Sequence, residues 1–368
     1  MDAFAYILPP QKSIYKYTFE VYTPLVMDGI PRGNCTANDP RTDIGSHGGP
    51  RERNHVTFLK RRGDRLKTGF IGAGKVGFTL GKFFCSKGST DCTESSNSIK
   101  VTGYYSRNTQ SAEEAAKFTG TKAFTDMGAL IEASDVLFLT VPDGSITEVY
   151  EEVRQYPIQG KYICHCSGSL SAGEAFPGID QTGAYEYSVH PLFAVSDKYE
   201  AYKELQDVFF AVEGNEEHLP EIKGMLKSVD IDLQVIRAED KTLYHAAAVT
   251  ASNLAVALMA ESINMLCQCG FDEADARKAL TPLVTGNVHH VLVKGPAEAL
   301  TGPVERGDAK TIAKHLGCLD ERQRELYRVL SSRLIPIAES KHPDRLYQNI
   351  KDLLEEDLLN EKLQKQEL

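Results

Sequence analysis

A glycine-rich segment at residues 72–77 has the spacing of a dinucleotide-binding turn. Its sequence GAGKVG follows the apolar run KTGFI and precedes the amphipathic stretch FTLGKFF, which is the strand-to-helix context that gives this motif its meaning. Gly72 is expected to permit the tight turn, Gly74 to let a pyrophosphate approach the backbone, and Gly77 to let helix and strand pack closely. The helix that begins with Lys75 and Val76 would offer free N–H groups to the phosphates.

The end of the second apolar run predicts which dinucleotide binds. Sites selective for NAD usually carry an acid here that binds the ribose 2′-hydroxyl. This chain instead has Ser106, Arg107 and Asn108 at the end of VTGYYSRN. A hydroxyl and a planar guanidinium can hydrogen-bond to a 2′-phosphate and neutralise it. We therefore predict NADP as the cofactor, with an exposed loop cation as the alternative interpretation of Arg107.

The residues that follow two later apolar segments are expected to shape the part of the cofactor-binding groove that holds the nicotinamide. Ligands of open parallel sheets bind beyond the carboxyl ends of the strands. Val141 and Pro142 follow the run DVLFLT, while Ser167 and Gly168 follow KYICHC. Asp143 is expected to cap the next helix, because aspartate is a favoured N-cap residue.

Hydride transfer to a carbonyl or imine also needs a proton donor beside the reacting atom. On an apolar helical stretch, Lys241, His245 and Ser252 lie within about 40° of one another, and Asn253 lies about 80° from His245. Burying lysine or histidine without partners is costly, so this stripe is expected to face a cleft. We predict Lys241, His245 and Asn253 as catalytic residues. The alternative is that these polar side chains hydrogen-bond to one another and to neighbouring groups in an interface between domains or subunits.

His190, in the segment SVHPLF, is the fourth catalytic candidate. It could bind a substrate carboxylate or assist proton transfer. The alternative interpretation is a strand-end histidine that hydrogen-bonds to backbone.

The elements that would position these residues divide the chain into three parts. Residues 1–65 contain many turn formers and no sustained periodicity, which indicates a weakly structured extension. Residues 66–237 alternate short apolar runs with amphipathic stretches, the pattern of βαβ units in a parallel sheet. Residues 238–360 show only helical patterns. They begin with one long helix, EDKTLYHAAAVTASNLAVALMAESINMLCQ, and end with a helical run from 319 to about 359. The expected fold is α/β, a Rossmann-like NADP-binding domain followed by an all-α substrate and dimerisation domain.

Composition and charge limit the possible partners. The formal net charge of -10 gives no basic field for nucleic acid or anionic lipid. No apolar stretch is expected to reach the roughly 18 residues that span a bilayer, and the N-terminus does not have the layout of a secretory signal. Eight cysteines without C-x-x-C spacing favour free thiols, no metal and a cytoplasmic location.

Several segments, taken in order, indicate a family. They are FIGAGKVG, VTGYYSRN, SDVLFLTVPDGSI, HCSGSLSA, SVHPLF, FFAVEG, KTLYHAAAVTASN and LTGPVERGD. Over residues 67–340 the chain resembles uncharacterised NADP-dependent oxidoreductases with a Rossmann-like domain and a helical C-terminal domain of unknown function. That group is similar to pyrroline-5-carboxylate reductases, ketopantoate reductases, 3-hydroxyacid dehydrogenases and prephenate dehydrogenases. The resemblance implies a C-terminal domain like that of 6-phosphogluconate dehydrogenase, often a dimerising one.

The resemblance and the site residues together predict NADP-dependent hydride transfer to or from a small carbonyl, imine or hydroxy acid, by a homodimer. Two alternatives remain open at this point. One is oxidative decarboxylation like that of prephenate dehydrogenases, suggested by the His-Pro element at His190. The other is a non-catalytic NADP(H) sensor or scaffold protein, because a dinucleotide site does not prove chemistry.

Overall fold

The structure is a computed structural model that describes residues 65–87 and 99–355. Nearly all of the predicted N-terminal extension therefore lies outside the described residues, and so does most of the loop before the second strand. The described residues all belong to one compact unit of the chain.

An eight-stranded sheet forms the N-terminal part of this unit. The strand order is β3-β2-β1-β4-β5-β6-β7-β8. The first six strands are mutually parallel in the order 3-2-1-4-5-6, which is the order of a dinucleotide-binding Rossmann sheet. β7 runs antiparallel to β6, and β8 is parallel to β7. The strands are β1 (Leu66–Ile71), β2 (Ile99–Tyr105), β3 (Lys122–Phe124), β4 (Val136–Leu139), β5 (Tyr162–His165), β6 (Tyr185–Pro191), β7 (Phe210–Gly214) and β8 (Leu233–Val235).

Helices connect the strands and then continue alone after β8. Those between strands are α1 (Lys75–Ser86), α2 (Thr109–Thr119), α3 (Met127–Glu132), α4 (Ile146–Val153), α5 (Ala172–Ala175) and α6 (Leu219–Lys227). Those after the sheet are α7 (Lys241–Ala251), α8 (Asn253–Gln268), α9 (Glu273–Lys294), α10 (Pro296–Ala299), α11 (Pro303–Arg306), α12 (Ala309–Cys318) and α13 (Glu321–Lys341). The expected order of a Rossmann-like domain followed by helices is confirmed.

Both faces of the sheet are buried, as a parallel sheet requires. Successive residues of β1 alternate between the two cores, because strand side chains point to opposite faces. Phe70 packs among aromatic rings including Phe84 and Phe138, while Ile71 packs with apolar residues of α3 and α4 on the other face. The sheet is therefore a rigid base that fixes the carboxyl ends of β1, β2, β4 and β5.

The predicted helix boundaries need two corrections. The long helix is interrupted at Ser252, whose φ of -113° and ψ of -75° separate α7 from α8. The C-terminal run is also interrupted, because α13 ends before His342 and helical structure returns only at 348–355. Residues 343–347 between them include a proline and a buried tyrosine, Tyr347, that packs into a separate small core with α11, α12 and α13.

Helices α7, α8 and α9 present many apolar side chains to solvent. Only Lys241 in α7 and Ala276 in α9 are fully buried, and no residue of α8 is. Val256 is 70% exposed and Leu292 is 81% exposed. Contrary to the sequence expectation, the segment Ala238–Gln268 is long and apolar enough to cross a membrane by length and composition, with a mean hydropathy of 1.4. These three helices are called the apolar face below.

Candidate functional site

The turn between β1 and α1 is built around three glycines with different surroundings. Gly72 has φ of +104°, and a Cβ there would lie 2.6 Å from the carbonyl oxygen of Thr140. A Cβ on Gly77 would lie 2.6 Å from Oγ1 of Thr140 and 2.8 Å from the carbonyl oxygen of Gly72. At Gly74 the nearest atom to such a Cβ is 3.9 Å away. Packing therefore explains Gly72 and Gly77, whereas Gly74 adjoins open space where a ligand could approach.

A cleft of about 250 Å³ opens beside this turn. It runs along the carboxyl ends of β1, β2 and β4, which is where ligands of open α/β sheets bind. The predicted cofactor-binding residues that line it are Gly72, Gly74, Ser106, Arg107, Val141 and Pro142. Sequence reasoning missed Ser111, Met127 and Glu152, which also line it, because residues in the end turns of later helices carry no local signature of a pocket.

The remaining predicted cofactor residues beside the cleft have structural contacts. The side chain of Lys75 donates to the carbonyl oxygen of Ser196 at 2.7 Å, and Val76 is half-buried in the first turn of α1. Asn108 caps α2, because its Oδ1 accepts from the backbone N–H of Ser111 at 3.4 Å. Asn108 therefore fixes the start of α2 next to the cleft.

Asp143 links the end of β4 to the end of β5. The prediction that it caps the following helix is wrong, since α4 has no side-chain cap. Its Oδ2 instead accepts from Oγ of Ser167 at 2.6 Å and from Oγ of Ser169 at 3.4 Å. A hydroxyl–carboxylate hydrogen bond of this kind is short and strong. This contact joins the cleft residues Val141 and Pro142 to the turn that carries Ser167 and Gly168.

Lys241 is buried at the start of α7, with 1% of the residue exposed. Its Nζ donates a short hydrogen bond to Oγ of Ser188. Ser188 on β6 pairs directly with Glu213 on β7. Burial lowers the pKa of Lys241 to about 8, although the charges of Glu213 and Asp143 act in the opposite direction. The ammonium therefore titrates close to neutral pH.

Glu213 is itself held in place beside this lysine. Its carboxylate accepts the backbone N–H of Ala172 with oxygens at 3.0 and 3.2 Å, and burial raises its pKa. A buried carboxylate next to a buried ammonium offsets part of the cost of removing both from water.

His190, His245 and Gly168 come together at the end of β5. A Cβ added to Gly168 would lie 2.7 Å from Cδ2 of His245 and 2.9 Å from Nε2 of His190. Nδ1 of His190 hydrogen-bonds the hydroxyl of Tyr244 at 2.7 Å. The pKa of His190 falls to about 4, chiefly through burial and then through the charges of Lys241 and His245. His190 is therefore neutral at pH 7.

Asn253 is not part of this cluster. It follows the break at Ser252, is exposed, and its Oδ1 accepts from Oγ of Ser252 at 3.0 Å. Ser252 in turn donates to the carbonyl oxygen of Ala248 at 2.7 Å. The single-helix geometry that aligned these residues with Lys241 does not hold across the break.

Three residues of the cluster escaped sequence reasoning. Ser188 and Glu213 sit inside strands, where only the pairing of β6 with β7 brings them together. Tyr244 lies between two predicted catalytic residues and could have been found from that position. His165 is buried at the end of β5, its Nδ1 accepts from the backbone N–H of Ser167 at 3.1 Å, and burial lowers its pKa to about 3.

Within residues 65–87 and 99–355, no group of three His, Cys, Asp or Glu side chains is arranged to hold a metal ion. The six cysteines in these ranges are free.

Two family models match the chain. Residues 67–167 match a family described as NADP oxidoreductase, coenzyme F420-dependent, and residues 208–334 match a domain of unknown function, DUF2520. The resemblance stated above is therefore confirmed, and NADP is confirmed as the cofactor of the matching oxidoreductase family. None of the curated proteins compared matches the sequence.

Solved structures show the same fold. Protein TM1727 from Thermotoga maritima has 27% identity and a TM-score of 0.60, covering 74% of this chain and 99% of its own. BF3122 from Bacteroides fragilis, described as a candidate NADP oxidoreductase, has 20% identity and a TM-score of 0.57, covering 74% and 98%. A reductive aminase from Aspergillus terreus, in complex with NADPH and ethyl-5-oxohexanoate, has 14% identity and a TM-score of 0.51, covering 78% and 99%.

Proposed function

We propose that this chain is an NADP-dependent reductase or dehydrogenase. The premise is its match to an NADP oxidoreductase family followed by a match to a helical domain of unknown function. The substrate of this chain is a small carbonyl, imine or hydroxy acid. The observation that carries this proposal is the continuity between the dinucleotide cleft and a buried ionisable cluster. Pro142 lines the cleft, Asp143 accepts a hydrogen bond from Ser167, and a Cβ on the adjacent Gly168 would lie within 3 Å of both histidine rings.

The cleft fits the cofactor in two respects. The open space at Gly74 lies at the N-terminus of α1, where backbone N–H groups and the helix dipole favour phosphate. Ser106 and Arg107 line the cleft at the end of β2, and we assign them to the 2′-phosphate. When bound, NADPH supplies the hydride. The role of the protein is to orient the acceptor and to provide the proton.

Lys241 and His245 are the groups that we propose for the proton. With a pKa of about 8, Lys241 carries a proton at neutral pH and gives it up more readily than an ordinary lysine, as an efficient general acid must. His245 is one helical turn further along α7 and faces Gly168. It would orient the substrate between the nicotinamide and the lysine. We retain Asn253 only as a residue at the border of the helical domain.

The decisive experiment combines cofactor binding with a substrate panel. Purified protein is titrated with NADPH and NADH by fluorescence and then incubated with NADPH and a panel of aldehydes, ketones, cyclic imines and 2-oxo acids. We expect tighter binding of NADPH and its stoichiometric oxidation with at least one class of acceptor. Tight binding without turnover over the whole panel would favour the sensor or scaffold instead. Equal affinity for both cofactors would overturn the assignment of Ser106 and Arg107.

We also propose a homodimer in the cytoplasm. The apolar face exposes valine and leucine side chains over three helices, and an exposed apolar patch of this kind usually marks an association surface. A second copy would bury the same helices of both chains, as a twofold dimer does. Free cysteines in the described ranges support a reducing compartment. Recovery of the protein with membranes, or co-sedimentation with neutral liposomes, would argue for a lipid surface in place of a second copy.

A further inference from the structure

We propose that Tyr244 is a positioning residue that fixes the tautomer of His190. Its hydroxyl donates to Nδ1, so that the single proton of the neutral imidazole resides on Nε2. The resulting Nε2–H group faces Gly168. It donates a hydrogen bond to the carbonyl oxygen or imine nitrogen of the substrate, which is the atom that is protonated when the hydride is transferred. The inference rests on the proposed function in one respect only, namely that a substrate binds beside Gly168.

The contact between the two residues has good hydrogen-bond geometry. The Tyr244 hydroxyl is 2.7 Å from Nδ1 of His190, and the rings meet edge to face, with centroids 5.6 Å apart and planes at 86°. The two side chains come from different parts of the fold, α7 and β6. A helix that already places Lys241 and His245 at the site therefore also sets the orientation of a strand histidine.

The direction of this hydrogen bond follows from the protons available. Burial raises the pKa of Tyr244 to about 12, so the hydroxyl keeps its proton, and His190 is neutral at pH 7 for the reasons given above. If the imidazole proton were on Nδ1, the phenol proton would have no acceptor within the parts of the chain that the structure describes. Neutral imidazole has one donor and one acceptor nitrogen. If the phenol donates to Nδ1, the phenol proton has an acceptor and the imidazole proton is on Nε2.

The other nitrogen of His190 is then left as a donor. Nε2 has no hydrogen-bond partner among the described residues, and a Cβ on Gly168 would lie 2.9 Å from it. Gly168 follows Ser167, whose hydroxyl is anchored to Asp143 at the rim of the cleft. The Nε2–H group therefore faces Gly168, in the turn that the Ser167–Asp143 hydrogen bond ties to the end of β4.

The helical region supplies a matched control pair. Nδ1 of His315 hydrogen-bonds the hydroxyl of Tyr327 at 2.8 Å, with ring centroids 5.5 Å apart and planes at 89°. This pair joins α12 and α13 and has nearly the same geometry as the His190 pair, but it belongs to the small core of the helical region. Tyr327→Phe therefore removes the same kind of hydrogen bond without touching the site.

The first test reads the tautomer directly and needs no substrate. The protein is labelled with ¹⁵N-histidine, and long-range ¹H–¹⁵N correlation spectra are recorded at pH 7.5 for wild type, Tyr244→Phe and Tyr327→Phe. We expect His190 of the wild type to show the Nε2–H pattern, Tyr244→Phe to convert it to a mixture, and Tyr327→Phe to leave it unchanged. An Nδ1–H pattern in the wild type, or an unchanged pattern in Tyr244→Phe, overturns the inference.

The second test is kinetic and uses an acceptor found in the panel. Tyr244→Phe should lower kcat about tenfold, while the Kd for NADPH and the KM change less than about twofold, since only the orientation of a donor is lost. In a His190→Gln background, whose amide has no tautomers, the same substitution should have little further effect. Equal losses in both backgrounds would show that Tyr244 acts by another route. Absence of all turnover together with the expected tautomer pattern would count against the proposed function and not against the inference.

Discussion

Lys241 at the start of α7 donates a hydrogen bond to Ser188 in β6, directly across the sheet pairing from Glu213. This contact places a titratable ammonium inside the protein, with a pKa of about 8 in place of the ordinary 10.5. Between those two pH values the unfolded chain binds more protons at this position than the folded one. The contribution of Lys241 to the free energy of unfolding therefore rises as the pH increases from about 8 to 10.5.

The corresponding prediction compares wild type with Lys241→Met. The wild type carries the cost of a buried charge below pH 8, and this cost decreases as the pH rises from 8 to 10.5. The Tm of the wild type minus that of the variant should therefore increase over this range in differential scanning fluorimetry. Lys227→Met, at an exposed position of α6, is the control and should show no such trend. A flat difference for Lys241→Met would show that the ammonium is not buried in solution.

Catalysis should depend on His245 without a matching effect on cofactor binding. His245→Ala removes a ring that faces Gly168, and loss of a general acid or of substrate orientation typically lowers kcat by about 10² to 10⁴. The Kd for NADPH should stay within about twofold, because the histidine lies outside the residues that line the cleft. Turnover near the wild-type value in both His245→Ala and Lys241→Ala would remove these two residues from the mechanism and leave His190 as the proton donor.

Selectivity for NADPH should depend on Arg107. Replacing it with alanine would remove the charge-assisted hydrogen bond that we propose to the 2′-phosphate, which corresponds to about 1.5–3 kcal/mol, or about 10- to 100-fold in Kd. NADH has no such phosphate, so its Kd should change little. Isothermal titration with both cofactors measures the effect, and Lys227→Ala is a charge-matched control on α6. Equal weakening for the two cofactors would indicate a general electrostatic role.

Two glycines of the turn should respond to alanine in opposite ways. Gly74→Ala meets no atom closer than 3.9 Å, so the protein should keep its Tm and lose affinity for NADPH because the methyl group blocks the phosphate. Gly77→Ala would press on Thr140 and on the carbonyl of Gly72, and overpacking of this kind costs about 1–3 kcal/mol of folding free energy. Gly224→Ala, with open space around it in α6, controls for the gain in helix propensity. Normal NADPH binding by Gly74→Ala would place the phosphates elsewhere.

Association through the apolar face should be sensitive to charge. Wild-type protein is expected at twice the chain mass of 40.6 kDa in light scattering. The double variant Val256→Glu, Leu292→Glu should shift towards the monomer, because burying unpaired carboxylates in an interface is costly. Leu346→Glu, at a position 90% exposed outside this face, should leave the mass unchanged. A wild-type mass of 40.6 kDa would exclude the dimer at the concentration measured.

The sequence predicted the parts of this molecule that are governed by local chemistry. The glycine turn, the run ends that line the cleft and the order of sheet followed by helices are all set by short segments with a known period or spacing. Ser188 and Glu213 could not be found in that way, because they meet only through the antiparallel pairing of β6 with β7. Asp143 was misjudged for the same reason. Its favourable partner, Ser167, is contributed by the next strand and is invisible to a rule about helix ends.

Asn253 illustrates a second limit. Its assignment depended on one uninterrupted helix, and a single residue with distorted dihedral angles, Ser252, was enough to separate it from Lys241. Helical periodicity predicts the face of a residue only as far as the helix remains regular.

The break at Ser252 also changes the physical length of the most apolar segment of the chain. At a rise of 1.5 Å per residue, the 16 residues of α8 measure about 24 Å and the 11 residues of α7 about 16 Å. The hydrocarbon core of a bilayer is about 30 Å thick. Neither straight helix reaches across that core alone, so a span of this segment would need residues of both helices and would place the distorted Ser252 inside the bilayer.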